Sequence, residues 1–128
     1  MKNTLLTLGC LAALAVPFLS TIAAGEGDAG QVAFNTHCRN CHSTKPDDNR
    51  LGPTLHNIFG AKAGQVKDFG NYSGSLTADI TWDEATLDKF LADPKSLASS
   101  TTMTPFAGVP EAEQRKLIIE FLKKQSNS

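Results

Sequence analysis

The stretch Cys38-Arg39-Asn40-Cys41-His42 decides how the rest of this chain reads. A C-x-x-C-H string is the attachment signature of a c-type haem, and the spacing has a chemical reason. Two thiols three residues apart, on the last turn of a helix, can each add to one vinyl group of a porphyrin. The adjacent His42 is thereby carried to the iron face, where an imidazole nitrogen can serve as proximal ligand. Three other fates are open to such a pair. A disulfide staple is ordinary in an exported domain. A thioredoxin-like redox pair needs a strand–helix context, and no strand pattern precedes Cys38. A zinc site needs four ligands, and there is no second cysteine pair.

A covalent haem raises the question of the second axial ligand, and methionine usage addresses it. The chain has two methionines, Met1 and Met103. Met103 lies in Ser99-Ser100-Thr101-Thr102-Met103-Thr104-Pro105-Phe106-Ala107-Gly108, a polar segment with Pro105 close behind, which reads as a loop. A lone methionine is ordinarily a gap-filler in a core. In a loop, with an iron position to fill, it reads as a thioether ligand. His37 and His56 are the rivals. His37 directly precedes Cys38, which points its side chain away from the iron that His42 must reach. His56, in Gly52-Pro53-Thr54-Leu55-His56, reads as a structural histidine tying down a loop.

Upstream of the motif, Lys2 is followed by a mostly apolar, uncharged run from Leu5 to Ala24, and small residues lead into Gly25. This is the pattern of a secretory signal peptide. Residues 1–24 are expected to be removed, with cleavage after Ala23 or Ala24, leaving 25–128 as one domain in the bacterial periplasm. Retention as an anchor is the alternative; Pro17 and the small residues after it favour removal. Cys10 lies within the apolar run, with too little before it for a lipid-modified cysteine. The formal net charge of −1, one unit more negative once Lys2 is lost, gives no support to a nucleic-acid binder. No later stretch approaches the ~18 apolar residues of a membrane span.

Three helices are expected, with no strand pattern of useful length. The first runs from about Asp28 to Cys41, with Asp28 and Gln31 in capping-box register. The second begins at Thr81-Trp82-Asp83-Glu84, continues through Leu87, Phe90 and Leu91, and ends at Pro94. The third starts at Pro110 and carries Leu117, Ile118, Phe121 and Leu122 as one stripe, with Lys123 and Lys124 at the negative end of its dipole. About forty residues of weak periodicity separate the first two helices, more than a structureless loop usually spans. A buried porphyrin removes the objection, because loops can wrap around its apolar surface. Gly52-Pro53, Gly60, Gly64, Gly70 and Gly74 supply the turns.

With CRNCH stand LGPTLHNIFGAKAG, ITWDEATLDKFLADPK, the MTPFAG loop and the closing FLKK, which together span nearly all of residues 26–125. In that order they resemble the class I c-type cytochromes, in the branch of mitochondrial cytochrome c and bacterial cytochrome c2. The resemblance implies an all-α cytochrome c fold around one haem c bound covalently by Cys38 and Cys41, with His42 and Met103 as axial iron ligands. It implies that the Pro53 carbonyl accepts from the other nitrogen of His42. Tyr72 and Trp82 would hydrogen-bond a haem propionate, and Gly64 would leave room for one. Gly30 and Phe34 would cross the terminal helix at Ile118 and Phe121. Read alone, Trp82 is an ordinary core residue and Tyr72 an ordinary turn residue.

The chain also departs from the family pattern. Ala61 stands where an arginine near the propionates is common, and Phe90 where a tyrosine hydroxyl usually faces the methionine sulfur. Pro105 is an extra residue before Phe106. Ser96 and Thr102 replace two of the lysines around the haem edge while Lys95 remains, so docking to an acidic partner is expected to be weaker.

An iron with all six positions filled has none for a substrate. The expected function is therefore electron transfer and not catalysis, whereas an iron not ligated by Met103 would have an open position suited to ligand sensing or peroxidase-like activity. A monomeric, soluble carrier would take one electron from a membrane quinol-oxidising (bc1-type) complex, docking at the exposed haem edge. It would hand that electron to an oxidase, a photosynthetic reaction centre or a reductase.

Overall fold

The computed structural model describes residues 26–128, in which the helices fall where apolar side chains recur at helical spacing. Helix α1 is Glu26–His37, α2 is Glu84–Ala92 and α3 is Ala112–Ser126. A single 3-10 turn, Pro94–Ser96, follows α2. The leader expected at residues 1–24 lies outside the described residues, and so does Cys10.

Helices α1 and α3 cross closely because one of the facing residues has no side chain. A Cβ on Gly30 would stand 3.0 Å from the Leu117 carbonyl oxygen and 3.0 Å from the Phe121 Cβ. One turn on, the Phe34 and Phe121 rings meet at 5.1 Å between centroids. Ile118, Ile119, Phe121 and Leu122 of α3 and Leu87, Phe90 and Leu91 of α2 are all buried. Each such side chain contributes roughly 1.5–3 kcal/mol on leaving water.

The helix boundaries differ from the sequence expectation in four places. Helix α1 ends at His37, so the two thiols sit on a separate turn and not within the helix. The Arg39 amide there donates back to Phe34 O at 3.2 Å, five residues earlier, and the chain then tightens through Cys41 N to Cys38 O and His42 N to Cys38 O. The start at Glu26 precedes the expected Asp28 by two residues, within the usual play of helix ends.

Helix α2 is capped by Asp83 with Thr86, not by Thr81 with Glu84. Thr81 and Trp82 are held extended instead. Trp82 N donates to Ala61 O at 2.9 Å, Gly60 N donates to Trp82 O at 2.8 Å, and Thr81 bridges Lys62. Helix α3 starts at Ala112, two residues beyond Pro110. Among the described residues that bridge is the only β pairing.

Candidate haem site

The turn after α1 places Cys38, Cys41 and His42 together. Cys38 is buried and Cys41 exposed, and the two thiols are not bonded to each other. Burial, with a lesser contribution from neighbouring Cys41, pushes the Cys38 thiol up to about 12. Among the described residues no group of three or more His, Cys, Asp or Glu side chains is arranged to hold a metal ion by itself.

His42 is buried, and its ring is fixed. Nδ1 lies 2.7 Å from the Pro53 carbonyl oxygen. A carbonyl only accepts, so Nδ1 carries the proton and Nε2 is left as the nitrogen with a free lone pair. Burial lowers the pKa of His42, partly offset by the bond to Pro53, and a neutral imidazole is the form that binds a metal. Gly52 completes the cradle, because a Cβ there would collide with the imidazole ring. Its amide donates to Cys41 O at 2.8 Å, which ties the Gly52-Pro53 segment to the cysteine turn.

The loop beneath is braced by hydroxyl and amide side chains. Thr54, buried, donates to Lys45 O at 2.6 Å. Asn49 accepts from Thr54 N at 2.9 Å and donates to Lys67 O at 3.0 Å, joining two irregular segments. His56 Nδ1 lies 3.2 Å from Thr44 O, consistent with the structural role expected of it.

The remaining candidates, Met103, Trp82, Tyr72 and Gly64, lie on the segments between the helices. Met103 is half-buried and packs against the hydrophobic core from the loop between α2 and α3. Trp82 is 5% exposed, with its ring 5.0 Å from Phe90. Phe90 is itself buried, so a hydroxyl at that position would need a partner. Tyr72 is half-buried. Its oxygen accepts from Val66 N at 3.3 Å, and its ring meets Phe69 edge-on at 4.9 Å. Gly64 has a positive φ of 68°, and a side chain there would press on the Leu76 carbonyl, so backbone geometry alone requires glycine.

Two thiols on one turn, Cys38 and Cys41, beside an imidazole oriented with Nε2 free fit the attachment of a c-type haem. The fold and site thus define a small, all-α protein of covalent-haem electron transfer. No family profile matches the chain. Individual proteins do. It is 40% identical over 88 residues to cytochrome c2 iso-2 of Magnetospirillum molischianum, covering 69% of this chain and 90% of that protein. It is 39% identical over 108 residues to cytochrome c2 of Rhodomicrobium vannielii, covering 83% and 84% respectively. The structure of cytochrome cH from Methylobacterium extorquens superposes with a TM-score of 0.69 at 39% identity, covering 78% of this chain and 99% of that one. The chain belongs to the class I cytochrome c family. It carries one covalent haem c and is an electron carrier, not an enzyme. Among the described residues no helix is long and apolar enough to cross a membrane.

Proposed function

We propose that this cytochrome is a soluble, monomeric periplasmic shuttle, exported through its leader, with His42 and Met103 as the axial pair of its iron. It takes electrons from a membrane quinol-oxidising complex of bc1 type and passes them to an oxidase, a photosynthetic reaction centre or a reductase. The observation that carries this reading is the fixed His42 ring. A proximal nitrogen oriented by the Pro53 carbonyl beside two thiols, with Met103 on a core-packed loop, supports an iron held by the protein on both faces.

The haem supplies a one-electron ferric/ferrous couple. The protein's part is to hold its own groups still. His42 is kept in one tautomer and one orientation by Pro53 and Gly52. Trp82, Phe90, Leu91 and Ile118 exclude water from the interior. Met103 offers a neutral, soft sulfur, which favours the reduced state. Tyr72 and Trp82 are assigned to a propionate and Gly64 to the space beside it, as in the family pattern. Partners dock at the exposed edge, where Lys95 is accompanied by the uncharged Ser96 and Thr102, all exposed. Association there depends little on salt compared with a lysine-ringed surface.

A spectroelectrochemical titration tests the carrier assignment. A reversible one-electron wave with no turnover of peroxide is expected, and peroxide consumption at catalytic rates would contradict it.

A further inference from the structure

Arg115 stands in the first turns of α3, the end of a helix where a cation is disfavoured by the dipole. Its side chain is nonetheless only 13% exposed. Nε donates to Asp88 Oδ1 of α2 at 2.7 Å, while Nη1 donates to the carbonyls of Val109 and Pro110, each at 2.9 Å. Those carbonyls form the C-terminal stem of the loop that carries Met103.

The same stem is held twice more. Val109, fully buried, donates its amide to Leu91 O at 2.7 Å. Gly108, at φ 114°, lies so close to the Ala92 carbonyl that a Cβ would collide with it. The N-terminal stem is pinned separately. Ser100 N donates to Ser75 Oγ at 3.0 Å, and Thr102 Oγ1 donates to Asn71 O at 3.3 Å. Between the stems, Met103 N bonds only to nearby Thr101 Oγ1, and Thr104 N to Thr102 O. Apart from the packing of Met103 and Phe106 on the core, residues 103–107 are therefore held through the hydrogen bonds at their two ends.

We propose that Arg115 is a positioning residue for Met103: its guanidinium fork locks the Val109-Pro110 stem to α2 and so keeps the thioether at the iron. The proposal rests on Met103 being the axial ligand. Arginine is the side chain that suits the task, because its donors are spaced in a rigid plane and reach the carboxylate and both carbonyls at once. A lysine ammonium concentrates its donors at one point.

The test is Arg115→Met in the holoprotein, read by carbon monoxide binding to the ferrous form, the far-red sulfur-to-iron absorption of the ferric form, and amide exchange at Val109. Carbon monoxide binding and Val109 exchange should each rise by about tenfold or more, the scale of one lost charge-assisted hydrogen bond, and the far-red band should lose amplitude. A folded variant with the wild-type band, no carbon monoxide binding and unchanged exchange overturns the proposal. If Arg115→Met does not fold, Arg115→Lys carries the same readouts, with the same outcomes deciding. A wild-type protein that itself binds carbon monoxide and lacks the far-red band contradicts Met103 ligation instead. The clamp is then judged on Val109 exchange alone, and an unchanged rate overturns it.

Discussion

The Pro53 carbonyl stands 2.7 Å from Nδ1 of His42, and that one bond fixes both the tautomer and the plane of the imidazole. The proline is eleven residues downstream, brought back by Gly52, whose amide reaches the Cys41 carbonyl. Ligand orientation is thus built into the backbone of the cysteine turn and the loop after it.

Replacing Gly52 by alanine drives a methyl group into the His42 ring. Overpacking of this kind costs about 1–3 kcal/mol where neighbours can shift, and here the neighbour is held by Pro53. Denaturant unfolding of the Gly52→Ala holoprotein should show a loss at or above that range, with a changed midpoint potential. Wild-type values of both would contradict the cradle.

The crossing of α1 and α3 depends on Gly30 in the same way. A Cβ there meets the Leu117 carbonyl and the Phe121 Cβ at 3.0 Å, tight but not impossible. Gly30→Ala is expected to be destabilised by about 1 kcal/mol and Gly30→Val by more than 2 kcal/mol, because the helices must separate. Urea midpoints check the order, and equal stability of all three would contradict close approach as the reason for glycine.

The chain's one tyrosine gives a clean pH signature. Burial raises the pKa of Tyr72, opposed in part by the amide of Val66. A raised folded-state pKa means the native form holds the proton longer than the unfolded one. The contribution to stability is complete below the unfolded value near ~10 and is lost as pH rises through the folded value. Ultraviolet titration should place the folded phenol above the unfolded one, and Tyr72→Phe should flatten the alkaline limb of the stability curve.

If Cys38 and Cys41 each carry one thioether, the denatured mature holoprotein has no titratable thiol at either position. A Cys38→Ser variant keeps its haem through acid–acetone extraction by the remaining bond, and the double serine variant loses it. Extraction of haem from the wild-type protein would contradict covalent attachment.

Much of this molecule was legible in the sequence because its information is local. Cys38, Cys41 and His42 announce themselves by spacing, and the stripe Leu87, Phe90 and Leu91 marks α2. The sequence reading places the α2 cap at Thr81, because a capping box is a four-residue pattern and cannot register that the 60–62 strand-like segment holds Thr81 and Trp82 extended. It carries the cysteines onto α1, although the helix ends one residue before Cys38. Thr54, Asn49 and Arg115 carry no local sequence signature of their roles, since each acts across a loop through contacts to backbone carbonyls. For Arg115 only a general signal exists: an arginine close to the start of a helix opposes the dipole and calls for a partner elsewhere.

In the proposed carrier, His42 and Met103 together close the iron to outside ligands. The most direct measurement is the absorption spectrum of the periplasmically matured protein, ferric and ferrous, with and without carbon monoxide, beside Met103→Ala. Sharp low-spin c-type bands, a far-red sulfur-to-iron band and no carbon monoxide shift are expected in the wild type, with the far-red band lost and carbon monoxide bound in the variant. A wild-type spectrum that shifts readily with carbon monoxide and lacks the far-red band would contradict that closure.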